Sequence, residues 1–137
     1  MQRLRDEDYR HLLSLRTGLR RFLRWSERQA RKAGLTPRQH QLLLAVRGHP
    51  GPVAPTIGEA GGYLLLRHHS VVGLVDRAAA AGLLRRVADP HDHRVVRLEL
   101  TPLGSRRLAD LSAAHLEELR RLRGSLEPLW EGLGDAR

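Results

Sequence analysis

At Gly82 the spacing of apolar residues changes from three-and-four to two, and that single change orders the rest of the chain. Upstream, Val71, Leu74, Val75, Ala78 and Leu83 keep a helical spacing from about His68 to Ala81, with Gly82 as the stop. Downstream, Leu83 to Val87 and Val95 to Leu100 are short β-prone runs. In the second of these Val96, Leu98 and Leu100 alternate with Arg97 and Glu99, as a half-exposed strand requires. Between the runs lies Asp89-Pro90-His91-Asp92-His93, a polar stretch with turn chemistry, so the pair reads as a hairpin. A helix followed at once by a hairpin restricts the chain to a small set of mixed architectures.

The helix signals on either side fill in that set. From Asp6 to about Ala33, Tyr9, Leu12, Leu13, Leu19, Phe22, Leu23 and Trp25 recur at three- and four-residue intervals among arginines, predicting one long amphipathic helix ended by Gly34. Thr36-Pro37 supplies a cap and a proline for the first helical position, with Leu42, Leu43 and Val46 as the apolar face of a second helix, closed by Gly48-His49-Pro50-Gly51-Pro52. Thr56-Ile57-Gly58-Glu59 has the spacing of a reciprocal capping box and starts a short, Gly-rich third helix that runs into Tyr63-Leu66. After the hairpin, Thr101-Pro102 repeats the cap-then-proline signal. Leu103, Leu108, Leu111, Leu116, Leu119 and Leu122 outline a second long helix up to Gly124, and Ser125 to Leu133 reads as a separate short helix.

The expected fold is thus mainly α with a small β-hairpin: a winged helix-turn-helix flanked by long N- and C-terminal helices. Residues 1–34 form the N-terminal helix, 35–101 the winged helix-turn-helix, and 102–137 the C-terminal helices, all within one intertwined protomer. The flanking helices carry more leucine and aromatic surface than a small winged domain covers, so a second copy of the chain is the natural place to bury it; packing on each other within one chain is the alternative.

Composition narrows the function classes. Against 15 acidic residues stand 24 basic ones, a formal net charge of +9, which suits a polyanionic partner, above all double-stranded DNA. Lys32 is the only lysine; the preference for arginine over lysine is what a GC-rich coding sequence produces, but that bias does not account for the net charge. With no cysteine, disulfides, thiolate metal sites and thiol redox sensing are excluded. The apolar stretches fall far short of the ~20 residues of a membrane span and no leader-like segment follows the N-terminus, so the expectation is a cytoplasmic protein with no membrane partner. Neither a phosphate loop, a dinucleotide turn nor a nucleophile motif is present, and Gly58-x-x-Gly61-Gly62 lies in a helix, not after a strand, so the chain is not read as an enzyme and needs no cofactor.

Six motifs in order, Leu35-Thr36-x-x-Gln39, Thr56-Ile57-x-Glu59, Ser70-Val71-Val72-x-Leu74-Val75-Asp76-Arg77, Gly82-Leu83-Leu84-x-Arg86, Asp89-Pro90-x-Asp92-x-Arg94 and Leu100-Thr101-x-x-Gly104, resemble the MarR family of bacterial regulators. The resemblance runs over roughly half the chain. It implies an obligate homodimer that presents two recognition helices to a pseudo-palindromic operator, usually as a repressor of transcription. It also implies a small anionic or aromatic effector between the dimer region and the winged domain, where Arg16, Arg20 or His40 could supply a contact.

For DNA, His68, His69, Ser70 and Gly73 fall on the first turns of the recognition helix, where side chains address base edges, while Arg67 and Arg77 suit phosphates. For His68 and His69, capping the helix is the competing role. Arg94, at the hairpin tip, suits a narrow minor groove; by the resemblance Asp92 orients it, and Arg86 at the hairpin base is a further partner. His93 stands where the family often has a second arginine, which would make wing binding weakly pH-dependent. Two other readings compete: a non-specific architectural nucleic-acid binder, and a metal-responsive regulator using His91-x-His93 or His68-His69. Both histidine pairs fall where DNA contact is expected and no dense Cys, His and carboxylate set lies in the flanking helices, so no metal site is assigned.

Overall fold

The computed structural model of the chain describes residues 3–131. Its elements run α1 (Asp6–Lys32), α2 (Pro37–Gly48), α3 (Ile57–Leu64), α4 (His68–Ala80), β1 (Leu84–Ala88), β2 (Val96–Leu100) and α5 (Pro102–Glu131).

Local chemistry accounts for most of the boundaries. Asp6, Glu7 and Asp8 occupy the positive first turn of α1 and Arg31 and Lys32 its last, and the Asp8 carboxylate accepts the Arg5 amide at 2.7 Å. Both expected threonine caps form as reciprocal boxes. The Thr36 hydroxyl accepts from the Gln39 amide at 3.1 Å while Gln39 accepts from the Thr36 amide at 3.0 Å; Thr56 and Glu59 repeat this at 3.1 Å in both directions. Gly34 and Gly82 end α1 and α4 in the left-handed region, with φ of 78° and 74°. Leu65 does the same after α3 with φ 55°, an unusual residue for such a place.

The core is built where α2, α3, α4 and the hairpin meet. Leu42, Leu43, Val71, Val75, Leu83 and Leu98 are fully buried there, with Ala60, Leu74, Ala78 and Leu84 around them. The close approach of α3 to α4 explains one residue of the glycine-rich helix: a Cβ on Gly61 would lie 2.5 Å from a Val71 methyl. β1 and β2 pair antiparallel from Leu84↔Leu100 to Ala88↔Val96. The segment before α3 adds a rudimentary third strand, with Thr56 bridged to Arg97 and the Leu98 amide donating to the Pro55 carbonyl at 2.9 Å.

α1 and α5 lie antiparallel to each other across the top of this core. The Ser26 hydroxyl meets His115 Nε2 at 2.6 Å, the His115 ring packs on Trp25 and on the buried His40 of α2, and Leu126 lies against Gly18. The flanking helices do therefore pack within one chain. They nevertheless leave Leu12, Leu13, Leu19 and Leu23 of α1 and Leu116 and Leu119 of α5 exposed.

One expectation is corrected. α5 does not stop at Gly124 with a new helix from Ser125; it runs unbroken through both to Glu131. Glycine in a helix interior costs only about 1 kcal/mol. Arg123 and Glu127 pair at 3.2 Å across the glycine, and Leu126 seats against α1. The expected terminus at Leu133 lies outside the described residues.

Candidate nucleic-acid interface

α4 divides into two faces. Val71, Leu74, Val75 and Ala78 are buried in the core, which turns Arg67, His68, His69 and Arg77 to solvent with Ser70 and Gly73 partly covered. Residues 67–70 form the first turn, where Arg67 is the N-cap residue in extended conformation and makes no side-chain cap bond. No hydrogen bond engages the His68 or His69 ring among the described residues, so neither caps the helix. Four residues on from Gly73, the Arg77 guanidinium folds back over it, 3.3 Å from the place a Cβ would take. A side chain at 73 would displace that guanidinium.

The hairpin presents Arg94 at its tip with its side chain 91% exposed. Its guanidinium grips Asp92 from two sides, Nε at 3.1 Å from Oδ1 and a terminal nitrogen at 3.2 Å from Oδ2, and its own backbone amide donates to Asp92 Oδ1. These donors hold the Asp92 carboxyl below its usual range. The expected Asp92–Arg94 partnership is present. Arg86 reaches from β1 across to Asp76 and joins the wing to α4.

Around the wing lies a set of contacts that spacing did not disclose. The Asp89 carboxylate accepts the amides of His91 at 2.8 Å and Asp92 at 3.0 Å through one oxygen and Arg97 Nε at 2.6 Å through the other. The Arg97 hydrogen bond is the largest cause, and the two amides add to it, holding the Asp89 carboxyl down to about 2. Arg97 also donates to the Ala54 carbonyl at 2.7 Å and lies 3.9 Å from Glu59, whose carboxylate is in turn 3.3 Å from His49. Asp89 was legible as a turn residue; Arg97 was not legible at all, because alternation along β2 marks it as an outward side chain. Arg85, its neighbour in the hairpin's charge pattern, pairs with Glu99 at 3.0 Å.

Of the effector candidates, Arg16 and Arg20 stand one turn apart on α1 and His40 lies elsewhere, on α2. His40 is buried under α5, where desolvation first and the neighbouring His115 second push its imidazole below the usual range, while Arg16 and Arg20 are exposed on α1. Between α1 and α5 runs an open groove of about 900 Å³, lined by Phe22, Trp25, Arg21, Arg24, Arg28 and Arg121 among others, and by neither Arg16 nor Arg20. Among the described residues no three His, Asp or Glu side chains gather as metal ligands, and no helix is long and apolar enough to cross a membrane.

A helix-turn-helix whose second helix is exposed at its start, tied to a hairpin carrying an arginine at its tip, defines a winged helix-turn-helix. Residues 33–95, a little under half of the chain, match the MarR family model. The chain is 40% identical over 65 residues to an uncharacterized HTH-type transcriptional regulator of Bacillus subtilis (strain 168), YsmB; the match covers 47% of this chain and 44% of that protein. The chain thus spans less than half the length of the curated relative it matches. Its fold is similar to that of the MarR family transcription regulator SP03579, with a TM-score of 0.75 at 24% identity over 88% of this chain and 78% of the other. It is also similar to a point mutant of MepR from S. aureus bound to an oligodeoxyribonucleotide, with a TM-score of 0.69 at 17% identity over 92% and 98% of the two chains.

Proposed function

We propose that the chain is a sequence-specific regulator of transcription that binds double-stranded DNA as a homodimer on a pseudo-palindromic operator. The observation that carries this reading is the pairing of two exposed basic features: the α4 start at Arg67, His68 and His69, and Arg94 on the wing, with the Arg86–Asp76 ion pair holding wing and helix together. His68, His69 and Ser70 read base edges in the major groove, Arg67 and Arg77 hold phosphates, and Arg94 enters the flanking minor groove. The likeness to a MepR structure bound to an oligodeoxyribonucleotide supports the same use of the fold.

The second copy docks over the exposed leucines of α1 and α5, which a monomer would leave in water at about 25 cal/mol per Å². Dimerisation sets the spacing of the two α4 helices, and a small anionic aromatic molecule that seats against the arginines and Trp25 of the α1–α5 groove shifts that spacing and relieves repression.

The test is a footprint of the purified protein on the DNA upstream of its own gene, at about 150 mM salt with excess competitor, together with its solution mass. A dimer protecting a roughly palindromic site is the expected result. A monomer whose binding is sequence-blind and lost with added salt would replace this reading with an architectural one.

A further inference from the structure

We propose that Arg97, which faces the interior of the hairpin and not the nucleic acid, is the positioning residue that sets the wing and thereby aims Arg94. This rests on the DNA-binding reading above. Its guanidinium sits between three parts of the molecule that are remote in sequence. It donates to the Ala54 carbonyl of the rudimentary strand, lies beside Glu59 in the first turn of α3, and donates to Asp89 where the hairpin leaves β1. Only 21% of the Arg97 side chain and 11% of the Asp89 side chain are exposed, so this ion pair is shielded as the Arg94 pair is not.

The chain of contacts continues outward without a gap. Through its second oxygen Asp89 fixes the amides of His91 and Asp92, and so shapes the first turn of the wing loop. Asp92, held by its amide, then presents its carboxylate to the amide and guanidinium of Arg94. Arg97 is therefore joined to Arg94 through an unbroken run of hydrogen bonds by way of Asp89 and Asp92. A loop ordered in this way before binding does not have to be ordered on the DNA, and that saving appears as affinity. Lysine at 97 could not do the same: its single nitrogen lacks the planar fork that meets a carboxylate with Nε and a carbonyl with a terminal nitrogen.

The experiment compares the full-length protein with Arg97→Met, Arg97→Lys, Arg94→Ala and the Arg94→Ala/Arg97→Met double variant, and with Asp89→Asn as a milder break should Arg97→Met fold poorly. Amide exchange at His91, Asp92 and Arg94 is read without DNA, and affinity is read on the duplex upstream of the gene. Expected is faster exchange at these three amides in Arg97→Met and Asp89→Asn. Arg97→Met and Arg97→Lys should also lose about ten-fold in affinity, and the double variant should be little weaker than Arg94→Ala alone. Unchanged exchange overturns the proposal, as do losses in the double variant that simply multiply, since an Arg97 acting independently of Arg94 would give that result. If the wild-type protein binds no site on that duplex, the regulator reading fails, and the exchange comparison alone then decides whether Arg97 sets the wing.

Discussion

Arg94 and Asp92 face each other at the tip of the wing through two guanidinium contacts and one backbone amide, all between 3.1 and 3.2 Å. The pair is almost wholly in water on the arginine side, so it adds little to stability; its effect is to hold a mobile side chain in one orientation. Arg94→Ala is expected to leave the oligomeric state and melting temperature unchanged and to weaken operator binding by about 1–3 kcal/mol. Titration of a labelled duplex checks this, and equal affinity would remove the wing from the interface.

Acidification weakens the junction of α1, α2 and α5 through His40. His40 is held below its ordinary value of 6.5, chiefly by burial, so below that pH the unfolded chain takes up a proton at this site before the folded chain does. Its linkage therefore costs nothing above about pH 6.5 and lowers stability progressively as the pH falls beneath it. Asp89, held down to about 2, keeps its charge through this range, so the wing contacts persist. Chemical denaturation at pH 7 and pH 5 should show a loss of stability at the lower pH that is smaller in His40→Leu. An identical pH slope in the two proteins would assign the loss to other groups.

Leu65 has its backbone in the left-handed region and is 92% exposed as a residue, so it bears the strain and buries almost nothing in return. Relief of that strain, worth about 1–2 kcal/mol, outweighs the extra freedom glycine confers on the unfolded chain, about 0.5–1 kcal/mol. Leu65→Gly is expected to stabilise the protein by roughly 0.5–1 kcal/mol, visible as a rise of a few degrees in melting temperature. A fall would show that this leucine makes contacts beyond the single chain.

Gly104 shows the opposite case. A Cβ there would lie 2.0 Å from the Leu83 carbonyl oxygen, which is backbone and cannot swing aside. Thr101 locks the same place, its hydroxyl donating to the Gly82 carbonyl at 2.5 Å and accepting the Gly104 amide at 3.1 Å. Gly104→Ala should therefore cost about 2 kcal/mol or more, measured as a lower urea midpoint at unchanged slope, although alanine is the better helix former.

Comparison of these elements shows which inferences sequence supports. Thr36 with Gln39, Thr56 with Glu59, and the glycines at 34 and 82 act over three or four residues, and each was readable because both partners of the interaction sit within one turn. The pairing of Asp92 with Arg94 is also local, two positions apart, but it was the resemblance to the MarR family that pointed to it. Gly124 misled because the residues that carry the helix through it include Leu126, whose contact is Gly18 on a different helix.

What the amino-acid order determined by itself was the succession of elements from α1 to the start of α5, the exposed start of α4 and the arginine on the wing, because caps, periodicity and turns are short-range. The tertiary structure decided the rest: that Arg86 serves Asp76, that Arg97 turns inward to Asp89 and Ala54, and that His40 lies against His115. Those partners stand 8 to 75 positions apart, and their meeting depends on how the helices cross and how far the hairpin twists, which no local spacing records.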